Sequence, residues 1–249
     1  IYYLKICYTV NMAEKYDLIF SIGTAPLVSE ILREKELQIF DFPFDRIYGG
    51  DFFTRMNLLL SGCQNFMIQK DITVLKDTPR EGMVQYKDIR TGFIYPFDYN
   101  PALPIENNFP AVKLRYDKYI KNLRLCMNSA KKILIVYVED PTIKEDEDTN
   151  ASLVIEACQK LKTKYPKKNI HILYVRNDED AENMKVIQLG KDAEKFAFNF
   201  YRKFSDMSSY YIDKSLLSTV FTDIGLKVNW KLKKILIIQK LLNMLSKVS

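Results

Sequence analysis

Residues 16–23, Tyr-Asp-Leu-Ile-Phe-Ser-Ile-Gly, join a short apolar run to a turn of small residues. The run from Asp17 to Phe20 predicts a buried strand, and Ser21-Ile22-Gly23 predicts the turn that ends it. A helix is expected to begin at Pro26, a position that proline favours, and to end near Leu37. A strand that enters a helix through a tight turn is typical of α/β proteins, which commonly bind ligands there.

A strand–helix–strand unit follows later in the chain. Residues 133–138 are six consecutive apolar residues, which predicts a strand buried on both faces. A helix is expected from about Asn150, and residues 170–175 predict the returning strand. Such units are parallel and right-handed in nearly all cases. The sequence therefore predicts one α/β domain with a mainly parallel sheet flanked by helices.

The segments between and after these units are less regular. Residues 67–99 predict two or three short antiparallel strands, and four prolines between 96 and 110 predict an extended loop without helix. Apolar residues at helical spacing predict helices over 112–130, 181–190 and 213–225.

Three segments of the chain follow from this pattern. Met12-Ala13 resembles an ordinary start, so residues 1–11 are expected to be a non-native or disordered extension. Residues 12–223 form the α/β domain, and residues 224–249 are predicted to be a basic amphipathic helix that packs on the domain, docks on a partner or lies on a membrane surface. Its longest apolar run is four residues, too short to span a bilayer.

The basic charge of the chain is confined to that last segment. The protein has 37 Lys and Arg against 31 Asp and Glu, and six lysines lie between Ile224 and Ser249, where there is no acidic residue. The rest of the chain is therefore neutral. This distribution argues against a nucleic-acid-binding face.

The cysteines and the single histidine do not suggest a metal site. The four cysteines form no C-x-x-C pair, and Cys126 and Cys158 lie on predicted apolar helix faces. Cys63, just after Gly62, is the one candidate for an exposed, reactive thiol. His171 is interpreted as a structural residue at the start of a strand. We expect reduced cysteines and a cytoplasmic protein, either free or peripheral to the inner face of the membrane.

The order Ser-Ile-Gly-x-x-Pro-x-x-Ser over residues 21–29, with Phe-Pro-Phe-Asp at 42–45 and Gly-Phe-Ile-Tyr-Pro-Phe at 92–97, resembles a bacterial family of papain-like cysteine peptidases. That family began as a domain of unknown function and is often encoded near surface-polysaccharide genes. The resemblance covers about Tyr16 to Tyr201. It implies a papain-like α+β arrangement as the alternative fold.

This chain departs from that family at the residues that would carry out catalysis. The resemblance places the family's cysteine at Pro26 and its histidine at Tyr95. Proline has no thiol, and a tyrosine with an ordinary pKa near 10 is a poor base at neutral pH. We therefore predict a binding or accessory protein with a degenerate site, without a cofactor, that takes a small molecule, a glycan or a protein. The candidate binding residues are Ser21, Gly23, Thr24, Asp45 and Asp98.

An enzyme of surface-polysaccharide synthesis is the alternative. Asp146-Glu147-Asp148 has the Asp-x-Asp spacing with which many glycosyltransferases hold Mg²⁺ or Mn²⁺ and a sugar nucleotide. Acidic residues before a helix are also common because they oppose the helix dipole. Asp146 and Asp148 are therefore weak candidates for metal ligands.

Overall fold

The apolar run after Tyr16 forms one edge of a central five-stranded sheet with helices on both faces. This arrangement comes from a computed structural model that describes residues 15–75, 84–96, 98–100, 102–139, 147–203, 210–227 and 234.

The described residues include twelve strands, numbered in chain order. They are β1 (Lys15–Tyr16), β2 (Leu18–Ser21), β3 (Ile72–Leu75), β4 (Gln85–Asp88), β5 (Ile94–Tyr95), β6 (Lys132–Val138), β7 (Asn169–Asn177), β8 (Lys185–Gly190), β9 (Ala193–Phe198), β10 (Tyr201–Lys203), β11 (Tyr210–Ile212) and β12 (Gly225–Leu226).

Five α-helices accompany these strands, with short 3-10 turns at 69–71 and 219–221. The helices are α1 (Pro26–Glu34), α2 (Phe52–Leu60), α3 (Ile105–Ser129), α4 (Glu147–Lys164) and α5 (Lys214–Ser218).

The central sheet has the order β2-β6-β7-β9-β8, and its first four strands are parallel. Only β8 runs antiparallel, at the edge beside β9. The predicted α/β fold with a mainly parallel sheet is thereby confirmed. The predicted antiparallel strands of the middle section are also present, as β3-β4-β5.

Side chains of β6 alternate between two apolar layers. Ile133, Ile135 and Tyr137 pack in the layer that contains residues of α2, α3 and α4. Leu134 and Val136 pack in the opposite layer, with residues of α1 and α5. A strand covered on both faces needs apolar residues at every position, which explains the unbroken apolar run in the sequence.

The predicted helix over 181–190 is wrong, because residues 185–190 form β8. This strand pairs with β9 in a register that places Lys185 opposite Ala197. Its side chains are mostly exposed, so no buried face imposes a clear period of two on the sequence. The pairing with β9 decides the structure there rather than local propensity.

The prediction of a helix-free loop up to Pro110 is also wrong, because α3 begins at Ile105 and contains Pro110. The buried side chain of Asn108 anchors this first turn. Its Nδ2 donates to the carbonyl oxygens of Asn100 and Leu103, and its Oδ1 accepts from the Asn100 N–H. These bonds hold the loop against the start of α3. They stabilise the first turns of the helix, which tolerates the backbone N–H donor that Pro110 lacks.

The chain beyond residue 223 continues into the α/β domain. Strand β12 pairs in parallel with β1, and the Lys227 N–H donates to the Tyr16 carbonyl oxygen. Residues 225–227 therefore contact the first strand of the domain. Residues 1–11 and, apart from Lys234, 228–249 lie outside the described residues, so the predictions for them stay predictions. No helix within the described ranges is both long and apolar enough to cross a membrane.

Arg55 of α2 is fully buried and connects two separate segments through their backbone carbonyls. Its Nη1 donates to the oxygens of Ile22 and Gly23, at 3.0 and 2.6 Å, in the turn after β2. Its Nε and Nη2 donate to oxygens of residues 47, 49 and 50. The guanidinium also lies over the Phe93 ring, 5.0 Å from its centroid. One side chain thus holds the β2–α1 turn against the loop before α2.

The loop before α2 can approach Arg55 and Phe93 so closely because it contains glycine. Gly50 has a φ of +68°, and a Cβ atom there would lie 2.3 Å from the Phe93 ring. Both the left-handed backbone and the ring contact therefore exclude other residues.

We predict that Arg55→Lys lowers the free energy of unfolding by about 3 kcal/mol or more. An ammonium keeps the charge but cannot reach carbonyls on both segments, and each lost hydrogen bond from a charged donor costs about 1.5 kcal/mol or more. Urea titration measures the change. Arg46→Lys, at an exposed position, is the matched control with an expected change below about 0.5 kcal/mol. Equal stability of the two variants would contradict the role of Arg55.

Candidate functional site

The turn after β2 uses its polar groups inside the protein. The Gly23 N–H donates to Ser21 Oγ at 2.9 Å, and the N–H and hydroxyl of Thr24 both donate to the Val138 carbonyl oxygen. A Cβ atom on Gly23 would lie 2.9 Å from the Val138 nitrogen, so glycine permits this close approach. Ser21, Gly23 and Thr24, predicted as binding residues, are buried parts of the sheet edge.

Pro26, at the family's nucleophile position, is the first residue of α1. The preceding N-cap residue is Ala25, which has no side-chain hydrogen bond to the helix. Neither residue supplies a nucleophile or a base, so the start of α1 has no group for thiol catalysis.

Tyr95, at the family's histidine position, is fully buried in β5. Its ring packs against Tyr99 and Tyr116, with centroids 6.3 and 5.6 Å away. Burial, reinforced by the nearby charge of Asp88, raises the pKa of Tyr95 well above its ordinary value. Its phenol cannot act as a base at neutral pH. Tyr95 packs in the layer of α3, whereas α1 packs in the opposite layer.

Asp45, the strongest predicted binding residue, is an internal acceptor and only 2% exposed. Its Oδ2 accepts from the Phe42 N–H, from Gln38 Nε2 and from Arg33 Nη2, all at 2.7–2.8 Å. Its backbone oxygen accepts from the Ser29 hydroxyl of α1 at 3.1 Å. Asp45 therefore fastens the aromatic turn to α1, and the geometry gives it a structural role.

The environment of Asp45 also disfavours its charged form. Burial raises the pKa of this carboxyl to about 7, although Arg33 and the Phe42 N–H act in the opposite direction. Its second oxygen, Oδ1, is buried and accepts no hydrogen bond from the described residues. A proton on Oδ1 would remove the cost of keeping a charged oxygen there without a donor.

Asp98 is likewise committed to the fold. It is buried and accepts from Arg115 Nη1 at 2.9 Å and from the Tyr116 hydroxyl at 2.7 Å. These bonds connect the chain after β5 to α3. Asp45 and Asp98, both predicted as binding residues, have separate sets of partners.

Cys63 is buried, with 5% of its surface exposed, so the prediction of an exposed thiol is wrong. The Cys63 N–H donates to the Leu58 oxygen and the Gly62 N–H to the Leu59 oxygen, which together form a Schellman motif at the end of α2. The residue after the glycine in this motif commonly packs against the helix. Burial raises the pKa of the Cys63 thiol to about 12, although Arg124 and Lys164 lower it.

The other two described cysteines are not activated either. Cys126 is fully buried in α3 and Cys158 is partly buried in α4, as their helical positions predicted. Burial raises the pKa of Cys126 to about 12 and that of Cys158 to about 11.

The remaining sequence candidates are a histidine and the acidic loop. His171 Nδ1 lies 2.9 Å from the Tyr16 hydroxyl, in line with the predicted structural role. Asp146 lies outside the described residues, as does the side chain of Asp148. Among the residues that the structure does describe, no group of three or more acidic, Cys or His side chains could hold a metal ion.

One concave site was not predicted from the sequence. A cavity of about 300 Å³ lies between the C-terminal ends of α2, α3 and α4, and we call it the helix-end cavity. Its lining comes from three segments far apart in the chain, so no local motif identifies it. The lining residues are Leu59, Gly62, Cys63, Leu123, Arg124, Met127, Asn128, Lys164 and Tyr165.

Comparison of the chain with protein-family models, with curated proteins and with solved structures finds no match. The resemblance to papain-like cysteine peptidases therefore rests on the sequence motifs.

We predict that Asp45→Asn flattens the pH dependence of stability between about pH 4 and pH 7. With a pKa of about 7 in the folded protein and 3.8 as the ordinary value, the native state holds more protons in this range. The stabilising contribution of Asp45 is therefore complete below about pH 4. It is lost as the pH rises from about 4 through about 7, which lowers the free energy of unfolding by up to about 1.4 kcal/mol per pH unit.

Urea titrations at half-unit pH intervals measure this difference between Asp45→Asn and the parent protein. Asp41→Asn, at a partly exposed acid that also pairs with Arg33, is the control and should keep the slope of the parent. If the free energy of unfolding of Asp45→Asn depended on pH as in the parent protein, Asp45 would be ionised over the whole pH range, which would contradict the prediction.

Proposed function

We propose that this chain is a binding or accessory protein with the degenerate site of a papain-like cysteine peptidase, and that it performs no thiol catalysis. The observation that carries the proposal is Pro26 at the start of α1, where the family motif has its cysteine. The turn in front of it offers no substitute, because the donors of Gly23 and Thr24 are bonded within the sheet.

The other thiols also support the proposal. A thiolate is the reactive form of cysteine, and the Cys63 thiol has a pKa of about 12 instead of the ordinary 9. At neutral pH this difference reduces its thiolate fraction roughly 1,000-fold. Cys126 has a similarly raised pKa. No described cysteine therefore has the low pKa of a catalytic thiol.

The reduced state of these cysteines fits a cytoplasmic protein, which we include in the proposal. Cys63, Cys126 and Cys158 are all free thiols, as is usual where glutathione and thioredoxin keep proteins reduced. Synthesis of surface polysaccharide stays an alternative hypothesis. Among its candidate residues, Asp45 and Asp98 are bonded internally.

We predict that iodoacetamide at pH 7 alkylates Cys63 of the folded protein at least about 1,000-fold more slowly than the same residue in urea. Mass spectrometry of peptides gives a rate for each cysteine, and the unfolded sample is the internal control. Rapid alkylation of Cys63 without unfolding would contradict the proposal, because it would reveal an activated thiol.

A second prediction tests whether Pro26 occupies a former nucleophile position. Pro26→Cys should produce a thiol with a pKa below the ordinary value, because the N-terminus of a helix stabilises a thiolate. Glu30→Cys, exposed one turn further along α1, is the matched control and should keep the ordinary pKa. Alkylation rates between pH 5 and pH 10 give both pKa values. Equal values for the two variants would remove the support for a degenerate catalytic turn.

A further inference from the structure

We propose that the helix-end cavity binds a small amphipathic anion, with an apolar body and one carboxylate, sulfonate or phosphate group. Its volume of about 300 Å³ is at the lower end of the range for pockets that enclose small molecules. The helix-end cavity lies apart from the β2–α1 turn, so its proposed ligand does not depend on the peptidase resemblance.

The inner wall of the helix-end cavity is apolar. Leu59 of α2 and Leu123 and Met127 of α3 line it, and all three are buried. Methionine adapts its shape to different ligands at low cost. Such a wall would accommodate the hydrocarbon part of a ligand and gain from its removal from water.

Two cations stand at the exposed side of the cavity. Arg124 donates from Nε and Nη2 to the Gly62 oxygen, and Lys164 Nζ donates to the Leu60 oxygen and lies over the Tyr165 ring. These bonds cap the end of α2 and leave further donors on both side chains. Neither cation pairs with a carboxylate of the described residues, and the lining contains no acidic side chain.

The charge balance therefore favours an anion. Each of the three helix ends carries only about half of an elementary negative charge, which is less in total than the two full positive charges of Arg124 and Lys164. Both cations also act on the Cys63 thiol inside the cavity by lowering its pKa. Arginine in particular binds carboxylate, sulfonate and phosphate through paired donors.

The backbone at the cavity also adopts an uncommon conformation. Cys63 has a φ of +59°, in the left-handed region that favours glycine, directly after Gly62 at +69°. A non-glycine residue in this region costs of order 1 kcal/mol and is often found at ligand sites. Here it directs a thiol into the lining of the cavity, where a bound ligand would cover it.

The test uses the fluorescent probe 1-anilinonaphthalene-8-sulfonate, which has an aromatic body and one sulfonate, with sodium octanoate, octanol and inorganic phosphate as competitors. We expect saturable binding of the probe by the folded protein. Octanoate should displace it at concentrations at least tenfold lower than octanol or phosphate. Octanoate should also slow the alkylation of Cys63, since the thiol lines the same cavity.

Arg124→Gln and Lys164→Gln change exposed side chains, and thermal melting verifies that both variants fold. Each should weaken binding of the probe and of octanoate about tenfold. Lys113→Gln removes a partly exposed lysine from another part of α3 and should change binding less than twofold.

Four results would overturn the proposal: no saturable binding of the probe, equal competition by octanol and octanoate, equal competition by phosphate and octanoate, or unchanged affinity in the two cavity variants. The first would exclude a ligand site. The second would show an apolar cavity without anion recognition, and the third an anion site without an apolar part. The fourth would place the bound probe elsewhere on the protein.

Discussion

The β2–α1 turn depends on one buried guanidinium. Removing an arginine from water is costly, and Arg55 offsets that cost by donating to carbonyls of residues 22–23 and 47–50 and by lying on the Phe93 ring. The carbonyls of the turn therefore point towards α2, and its N–H groups bond within the sheet edge. A turn fixed from both sides in this way cannot rearrange around a ligand without breaking bonds to Arg55.

Two ends of the sheet consequently differ in what they can bind. The β2–α1 turn lies at the carboxyl end of the parallel strands, where α/β proteins usually bind ligands, but its polar groups already have partners. The helix-end cavity lies at the opposite end, because α3 and α4 finish there before β6 and β7 begin. Among the described residues, the hydrogen bonds of its two cations go to carbonyl oxygens at the end of α2. This difference explains why we propose a ligand site at the amino end of the strands and not at the β2–α1 turn.

The sequence predicted the features that depend on local pattern. The apolar run of β6 and the proline at the start of α1 each have a physical cause within a few residues. Features that depend on distant partners were not predicted. Strand β8 is defined by its pairing with β9, and Asp45 is structural because Gln38 and Arg33 donate to it. Cys63 was the candidate for an exposed thiol just after Gly62, whereas the Schellman motif buries it.

The most direct measurement is NMR of the isotope-labelled protein during titration with octanoate, since each backbone amide reports on its own surroundings. We expect saturable shifts of the amide signals of residues 59–63, 123–128 and 164–165, with those of residues 21–25 unchanged. Shifts centred on residues 21–25 would contradict the account, because they would show that the turn held by Arg55 still binds ligands.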